Sequence, residues 1–460
     1  MRVESLELKA TKENLIEALK KDSIQRNYFL GRFITLLNAI GTGYSIALDA
    51  KWGDGKTFFV RQAKMVFDAF NELYDSELSQ EEKAEIISVI GQKGIAKAEI
   101  QSHVCVYYDA WINDSDVDPL LSIIYSIAKD TGTDYSKVES SSLFEKGAAV
   151  LDAIPFISTD LSELTKAFKA NDPLARIKEG KKIAETISGF LNSVIEERGE
   201  RLLIIIDELD RCRPDFAIRL LERIKHYFDN ERVTFLFAIN KEQLLHSVCN
   251  HYGERFDACR YLDRFFDIVL SLPSPDMESY IRLIGHEGNF IFDEVCKKIR
   301  AFYNFSMRET ERFYRAARIA AHKPTHTSSG WGFSEENGES FGYMVITPLI
   351  IALKMIDPKK CREFVEGNDY QPLLDILPDE EHSYSICRLL LNRSETFGEP
   401  SEGKEKVDFC DRLIKTYYAI FKNDWENKYL EIRIGSCEFS YRTRRAILDV
   451  ASMLSGYAEY

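Results

Sequence analysis

Paired cysteines are missing from this chain. Nine cysteines in 460 residues stand at 105, 212, 249, 259, 296, 361, 387, 410 and 437, with no CxxC pair and no histidine spacing that would build a zinc site. They read as reduced, mostly buried thiols. Long apolar runs are also lacking. The two most apolar stretches, 147–157 (interrupted by Asp152) and 343–353 (followed at once by Lys354), fall short of the ~18 residues that a spanning helix requires, so no membrane insertion is expected. The first twenty residues mix charge with Leu and Ile and hold no uninterrupted apolar core of a signal peptide, which gives a cytoplasmic expectation. Glycine (24) and proline (12) are too sparse for a collagen-like or low-complexity chain. Positive charge is in deficit: 60 Lys and Arg against 74 Asp and Glu leave −14, which excludes a whole-surface footprint for nucleic acid or anionic lipid and leaves only a local basic patch open. No HExxH, GxSxG or Cys–His constellation supports zinc, serine or cysteine hydrolase chemistry.

What remains is an ordinary globular composition, 45% apolar and 29% charged, long enough for roughly two to three domains. Five short apolar runs of strand type lie at 44–49, 103–108, 202–206, 233–239 and 267–272, with longer helical patterns between them. That alternation predicts an α/β domain with a parallel sheet covered on both faces. After Pro273 the strand signals fade. Helical spacing, as in 306–321 and 406–421, predicts a mostly helical second region with loops at 324–342 and 399–405. The expected division is a nucleotide-binding core over 1–275, carrying a helical insert at about 112–200, and a helical lid and C-terminal region over 276–460. Two amphipathic helices are expected in the insert, at 142–170 and 171–198.

The first strand runs into Ala50-Lys51-Trp52-Gly53-Asp54-Gly55-Lys56-Thr57 and then a helix. Such a loop turns backbone N–H groups toward phosphates; Gly55 permits close approach, Lys56 reaches the β- and γ-phosphates, and the Thr57 hydroxyl suits Mg²⁺ at a helix N-terminus. Trp52, Gly53, Asp54, Gly55, Lys56, Thr57 and Phe58 are the candidate nucleotide-binding residues. Ala50 stands where such loops usually begin with glycine, which is tolerable if its φ stays negative. The bland alternative is a glycine-rich turn with a solvated lysine.

Hydrolysis needs a second, acidic site. Five aliphatics, 202–206, form a buried strand that ends in Asp207 and Glu208, where Asp207 would join Thr57 in the metal shell and Glu208 would polarise water. An acidic strand end without function is the alternative. Because one strand intervenes between the loop and the acidic strand, the order predicts a P-loop sheet of the additional-strand, catalytic-glutamate type. Asn240, at the end of the next strand, is a candidate sensor of the γ-phosphate or of the lytic water, unless it only makes a turn.

Four segments in this order narrow the family: Trp52-Gly53-Asp54-Gly55-Lys56-Thr57, Tyr108-Asp109-Ala110-Trp111, Ile206-Asp207-Glu208-Leu209-Asp210-Arg211-Cys212-Arg213-Pro214 and Phe237-Ala238-Ile239-Asn240. Together they resemble the KAP family of P-loop NTPases. The family pattern has an asparagine where this chain has Asp109 and an aspartate where it has Glu208. The resemblance implies ATP and Mg²⁺ as cofactors and ATP hydrolysis driving a conformational or assembly switch. For prokaryotic members it also implies a role in excluding phage and mobile elements. Many members carry a membrane hairpin between the second strand and the acidic strand; the charged insert here reads as a soluble variant. By likeness to ring-forming relatives, Arg260 or Arg264 would reach a neighbouring subunit's γ-phosphate in a homo-oligomer, the alternative being surface pairs with Asp257 or Asp263. Arg308, in the capping-box helix that starts at Ser306, would touch nucleotide as a second sensor. Trp111 is expected in the core, and the aromatic run Tyr417, Tyr418, Phe421, Trp425 and Tyr429 reads as core or as a partner groove. Competing functions are a nucleotide-gated scaffold that recruits a protein effector with little turnover, and a DNA-stimulated motor.

Overall fold

The computed structural model describes residues 9–40, 43–74, 76–91, 100–116, 118–131, 175–283, 290–321, 338–381, 383–399, 404–422 and 430–454. Two compact units divide the chain between Ser279 and Tyr280.

In the first unit five strands form one sheet: β1 (Ser45–Asp49), β2 (His103–Asp109), β3 (Arg201–Asp207), β4 (Val233–Ile239) and β5 (Ile268–Ser271). Their spatial order is β2-β3-β4-β1-β5, all neighbours parallel. Strand β4 therefore lies between β1 and β3, the insertion that defines the expected additional-strand sheet. Parallel strands covered on both faces must be apolar throughout rather than alternating. Leu202, Leu203, Ile204, Ile205 and Ile206 are accordingly all inaccessible to solvent, whereas the edge strand β5 alternates and half exposes Val269.

The register carries the chemistry to one end of the sheet. Asp49 lies opposite Ile239 on β4, Ala238 opposite Asp207 on β3, and Asp207 opposite Asp109 on β2. The loops after β1, β2, β3 and β4 thus emerge side by side, at the strand ends where ligands of open α/β sheets bind. Helices α1 (Lys12–Lys21) and α2 (Asn27–Ala39) precede the sheet and pack on α3 (Lys56–Phe70), the helix that follows the β1 loop. The side chain of Gln62 on α3 donates to the carbonyl of Leu15 at 3.2 Å, and Phe29, Phe33 and Phe59 meet as a ring cluster. Within the expected insert, α4 (Pro119–Asp130) and α5 (Ala175–Arg198) are helical; the helix expected at 142–170 lies outside the described residues.

The second unit is mostly helical, with its own core that includes Phe292, Phe313, Phe341, Tyr417 and Phe421. Its helix Met307–Ala321 opens on the expected capping box: Glu309 N–H donates to Ser306 Oγ at 3.3 Å, and Ser306 N–H to Glu309 Oε2 at 2.9 Å. The apolar stretch at 343–353 belongs to the helical segment Gly338–Ile356, long and apolar enough to span a membrane, yet 78% of its window is buried inside the unit. Two expectations are corrected. The end of the loop expected at 324–342 is already helical from Gly338, and strands do recur after Pro273. Glu395–Thr396 pairs with Glu405–Lys406, and Glu431–Ile434 forms a hairpin with Cys437–Ser440 around Gly435, whose φ is 61°. The buried alternation of Cys437 and Phe439 is the signal for that hairpin. Trp425 and Tyr429 lie outside the described residues.

Candidate nucleotide site

The β1 loop can fold as it does because two of its residues take a left-handed backbone. Gly53 and Gly55 have φ of 89° and 80°, conformations that a Cβ would strain, and Gly55 is the N-cap of α3. Ala50 keeps a negative φ, so the replaced first glycine costs nothing here. The Lys56 ammonium curls back over its own loop, donating to the carbonyl oxygens of Ala50 at 2.8 Å and Lys51 at 3.3 Å. Burial lowers the Lys56 pKa, and the carboxylates of Asp210, Asp207, Glu208 and Asp54 oppose that shift. These carboxylates favour the charged form of the ammonium against its burial.

Arg26, just before α2, braces the loop from below. Its Nη1 donates to the Asp54 carbonyl at 2.7 Å, while Nε and Nη2 both donate to the Pro273 carbonyl, at 3.0 and 2.6 Å. One buried guanidinium thus joins the phosphate loop to the exit of β5. Its burial pushes the Arg26 pKa down to about 10, with Asp54 opposing.

Asp207 is fully buried at the end of β3. Desolvation raises its pKa, and the Thr57 hydroxyl, the Tyr107 hydroxyl and the Glu208 N–H all counter that by hydrogen bonding. Tyr107 Oη donates to Oδ2 at 2.8 Å, and the Glu208 N–H donates to Oδ1 at 2.9 Å. Tyr107 in turn lies under the Arg61 guanidinium, 4.3 Å from its ring centre. The hydroxyl of Thr57 beside a buried carboxylate is a pair of hard oxygen donors, which fits Mg²⁺.

Glu208 takes a left-handed backbone, φ 59° and ψ 24°, unusual for a residue with a Cβ and typical of strained functional turns. Burial first, then Asp207, pushes its pKa up to about 7, while Arg211 pulls it down. Arg211 Nε lies 2.6 Å from Glu208 Oε2. The Trp52 indole N–H donates to Asp210 Oδ2, so the phosphate loop is tied to the short helix Leu209–Arg211 that follows Glu208. Trp111, expected in the core, is instead 52% exposed. It stands at the turn after β2, where Asp109 Oδ1 accepts the Ile112 N–H at 3.1 Å, and its ring centre is 5.5 Å from the Arg211 guanidinium.

The remaining candidates are more dispersed. Asn240 is buried and its Oδ1 caps the next helix, accepting the Gln243 N–H at 3.3 Å; beside it the Lys241 N–H donates to Asp49 Oδ1 at 2.8 Å. Arg260 is 89% exposed and 3.8 Å from Asp257, the surface pair named as its alternative. Arg264 is exposed, and Asp263 pairs with Lys241 rather than with it. Arg308 is exposed on the second unit. A cavity of about 340 Å³ lined by Tyr44, Phe228, Phe235 and Phe265 lies at the opposite, amino-terminal edge of the sheet and is separate from this site. Sequence reasoning missed Arg26, Tyr107 and the pairing of Arg211 with Glu208. Only Arg211 carried a signal, as part of the acidic motif.

The sheet order and this loop define a P-loop NTPase fold, with a helical region following it. The chain belongs to the KAP family: the model of the KAP family P-loop domain matches residues 26–319. No curated protein matches the chain.

Proposed function

We propose that the chain is a Mg²⁺-dependent ATPase in which hydrolysis drives a conformational or assembly switch. The observation that carries this reading is the convergence of Lys56, Thr57, Asp207 and Glu208 at one end of the sheet, with the Thr57 hydroxyl on the Asp207 carboxylate. Lys56 exchanges the carbonyls of Ala50 and Lys51 for phosphate oxygens, and the N–H groups at the start of α3 take the others. Thr57 and Asp207 hold the metal shell. When bound, the cation neutralises charge developing on the transferred phosphoryl group.

Glu208 supplies the base. Its carboxyl, raised to about 7 by burial, is a better proton acceptor from water than an exposed glutamate while still largely ionised above neutrality. Asn240, its carbonyl engaged by the helix cap, offers its amide N–H groups to the γ-phosphate or the attacking water. Arg264, with Arg260 as the other candidate, completes a neighbour's site in a homo-oligomer, and Arg308 is proposed as the second sensor. The switch would be read by a protein effector, and a defence role against phage is proposed with it; plaque counts on hosts carrying the wild type or Glu208→Gln test that role.

Phosphate release by the purified chain tests the core of the proposal. ATP with Mg²⁺ is expected to give steady turnover that EDTA and Lys56→Ala each abolish. Nucleotide binding with no turnover would favour the scaffold reading, and turnover that requires added DNA would favour the motor.

A further inference from the structure

Arg211 belongs to the acidic motif but has no part in the reaction outlined above, and its surroundings are specific. Its guanidinium lies 2.6 Å from Glu208 Oε2, 5.8 Å from the ring centre of Trp52 and 5.5 Å from that of Trp111. Trp52 is part of the phosphate loop and is itself held by Asp210, the residue before Arg211. Both indoles are about half exposed, and a guanidinium flanked by two aromatic faces loses little freedom on pairing because its plane is already fixed. Both members of the ion pair are shielded, with side chains 21% and 15% exposed.

We infer that Arg211 is the positioning residue of this site: flanked by Trp52 and Trp111, it fixes the Glu208 carboxylate beside the phosphate loop. This rests on Glu208 being the group that polarises water. Arg211 is the cation at hydrogen-bond distance from the carboxylate, whereas the neighbouring Asp207 and Asp210 repel it. Without Arg211 the carboxylate is free to leave its place beside the phosphate loop, and a general base out of hydrogen-bond reach of the attacking water cannot take its proton.

The test compares wild type, Arg211→Ala, Arg211→Lys and Trp111→Ala at one pH, measuring kcat and KM for MgATP. Arg211→Ala is expected to leave KM within about twofold and to lower kcat about tenfold, because the carboxylate is no longer held in place while the phosphate contacts are unchanged. Arg211→Lys keeps the charge without the planar fork and should fall between the two. Trp111→Ala should lower kcat in the same sense by less. An unchanged kcat in Arg211→Ala, or a loss confined to KM, overturns the assignment. An independent arm compares the Glu208 side chain in crystal structures of wild type and Arg211→Ala. A carboxylate that keeps its place without Arg211 overturns the inference even if the chain proves not to hydrolyse ATP, whereas absent wild-type turnover with a displaced carboxylate overturns only the ATPase reading.

Discussion

The hydroxyl of Tyr107 donates to Oδ2 of Asp207 at 2.8 Å, across two adjacent parallel strands. The other carboxylate oxygen takes the Glu208 N–H, so the orientation of Asp207 is set from both sides. Burial and the neighbouring Asp207 charge push the Tyr107 pKa far above the ordinary phenol range, so this hydroxyl stays a donor at any working pH.

A phenol that aims a metal-binding carboxylate should tune metal affinity more than nucleotide affinity. Tyr107→Phe is expected to raise the Mg²⁺ concentration for half-maximal ATP turnover about tenfold, the order seen when an outer partner of a ligand is removed. Binding of a fluorescent ATP analogue in EDTA should not change. An unaltered Mg²⁺ dependence would show that the hydroxyl only fills space.

Arg26 makes a separate, structural prediction. Its fork spans the carbonyls of Asp54 and Pro273, which a lysine ammonium cannot do with the same geometry. Arg26→Ala and Arg26→Lys are both expected to lower stability in urea, the alanine by about 2–4 kcal/mol, since a buried side chain and its three hydrogen bonds to backbone carbonyls are lost. A lysine variant as stable as wild type would contradict this account.

The raised pKa of Glu208 has a consequence for stability that does not involve catalysis. Between the ordinary glutamate value of 4.5 and about 7 the native state holds a proton that the unfolded chain releases. The contribution of Glu208 therefore turns unfavourable as pH climbs through that window. Glu208→Gln removes the charge and should raise Tm at pH 8 while leaving it nearly unchanged at pH 4.5. Equal effects at both pH values would place the Glu208 pKa near its ordinary position.

Whether an arginine acts across a subunit boundary can be tested by mixing. Arg264→Ala should bind nucleotide and hydrolyse poorly. Co-assembled with Lys56→Ala, about a quarter of head-to-tail interfaces would join an intact lysine to an intact arginine and regain turnover. No recovery in the mixture would assign Arg264 to its own subunit or to the surface, and Arg260→Ala run alongside distinguishes the two arginines.

The parts of this molecule that were legible in the sequence are those specified locally. Buried parallel strands are continuous apolar runs, so 233–239 coincides with β4 and the other four strands shift by only a residue or two at their ends. The phosphate loop is legible because its shape demands glycine where φ turns positive. Residues that act through register or long-range packing left no such mark. Tyr107 reaches Asp207 only when β2 and β3 are paired, and Arg26 reaches Pro273 only when the exit of β5 lies beside the start of α2. Trp111 reads as core by type, yet the turn after β2 carries it to the surface, where Arg211 meets one of its faces.

The most direct test of the account is a paired measurement on Glu208→Gln: equilibrium ATP binding by isothermal titration and steady-state phosphate release from the same preparation. Binding should match wild type and turnover should fall by about two to four orders of magnitude, because only the water-polarising carboxylate is lost. Lys56→Ala should instead lose binding as well as turnover, binding weakened by about ten- to a hundredfold, as expected for a charge-assisted contact to phosphate. A Glu208→Gln protein that hydrolyses ATP at the wild-type rate would contradict the assignment of this site.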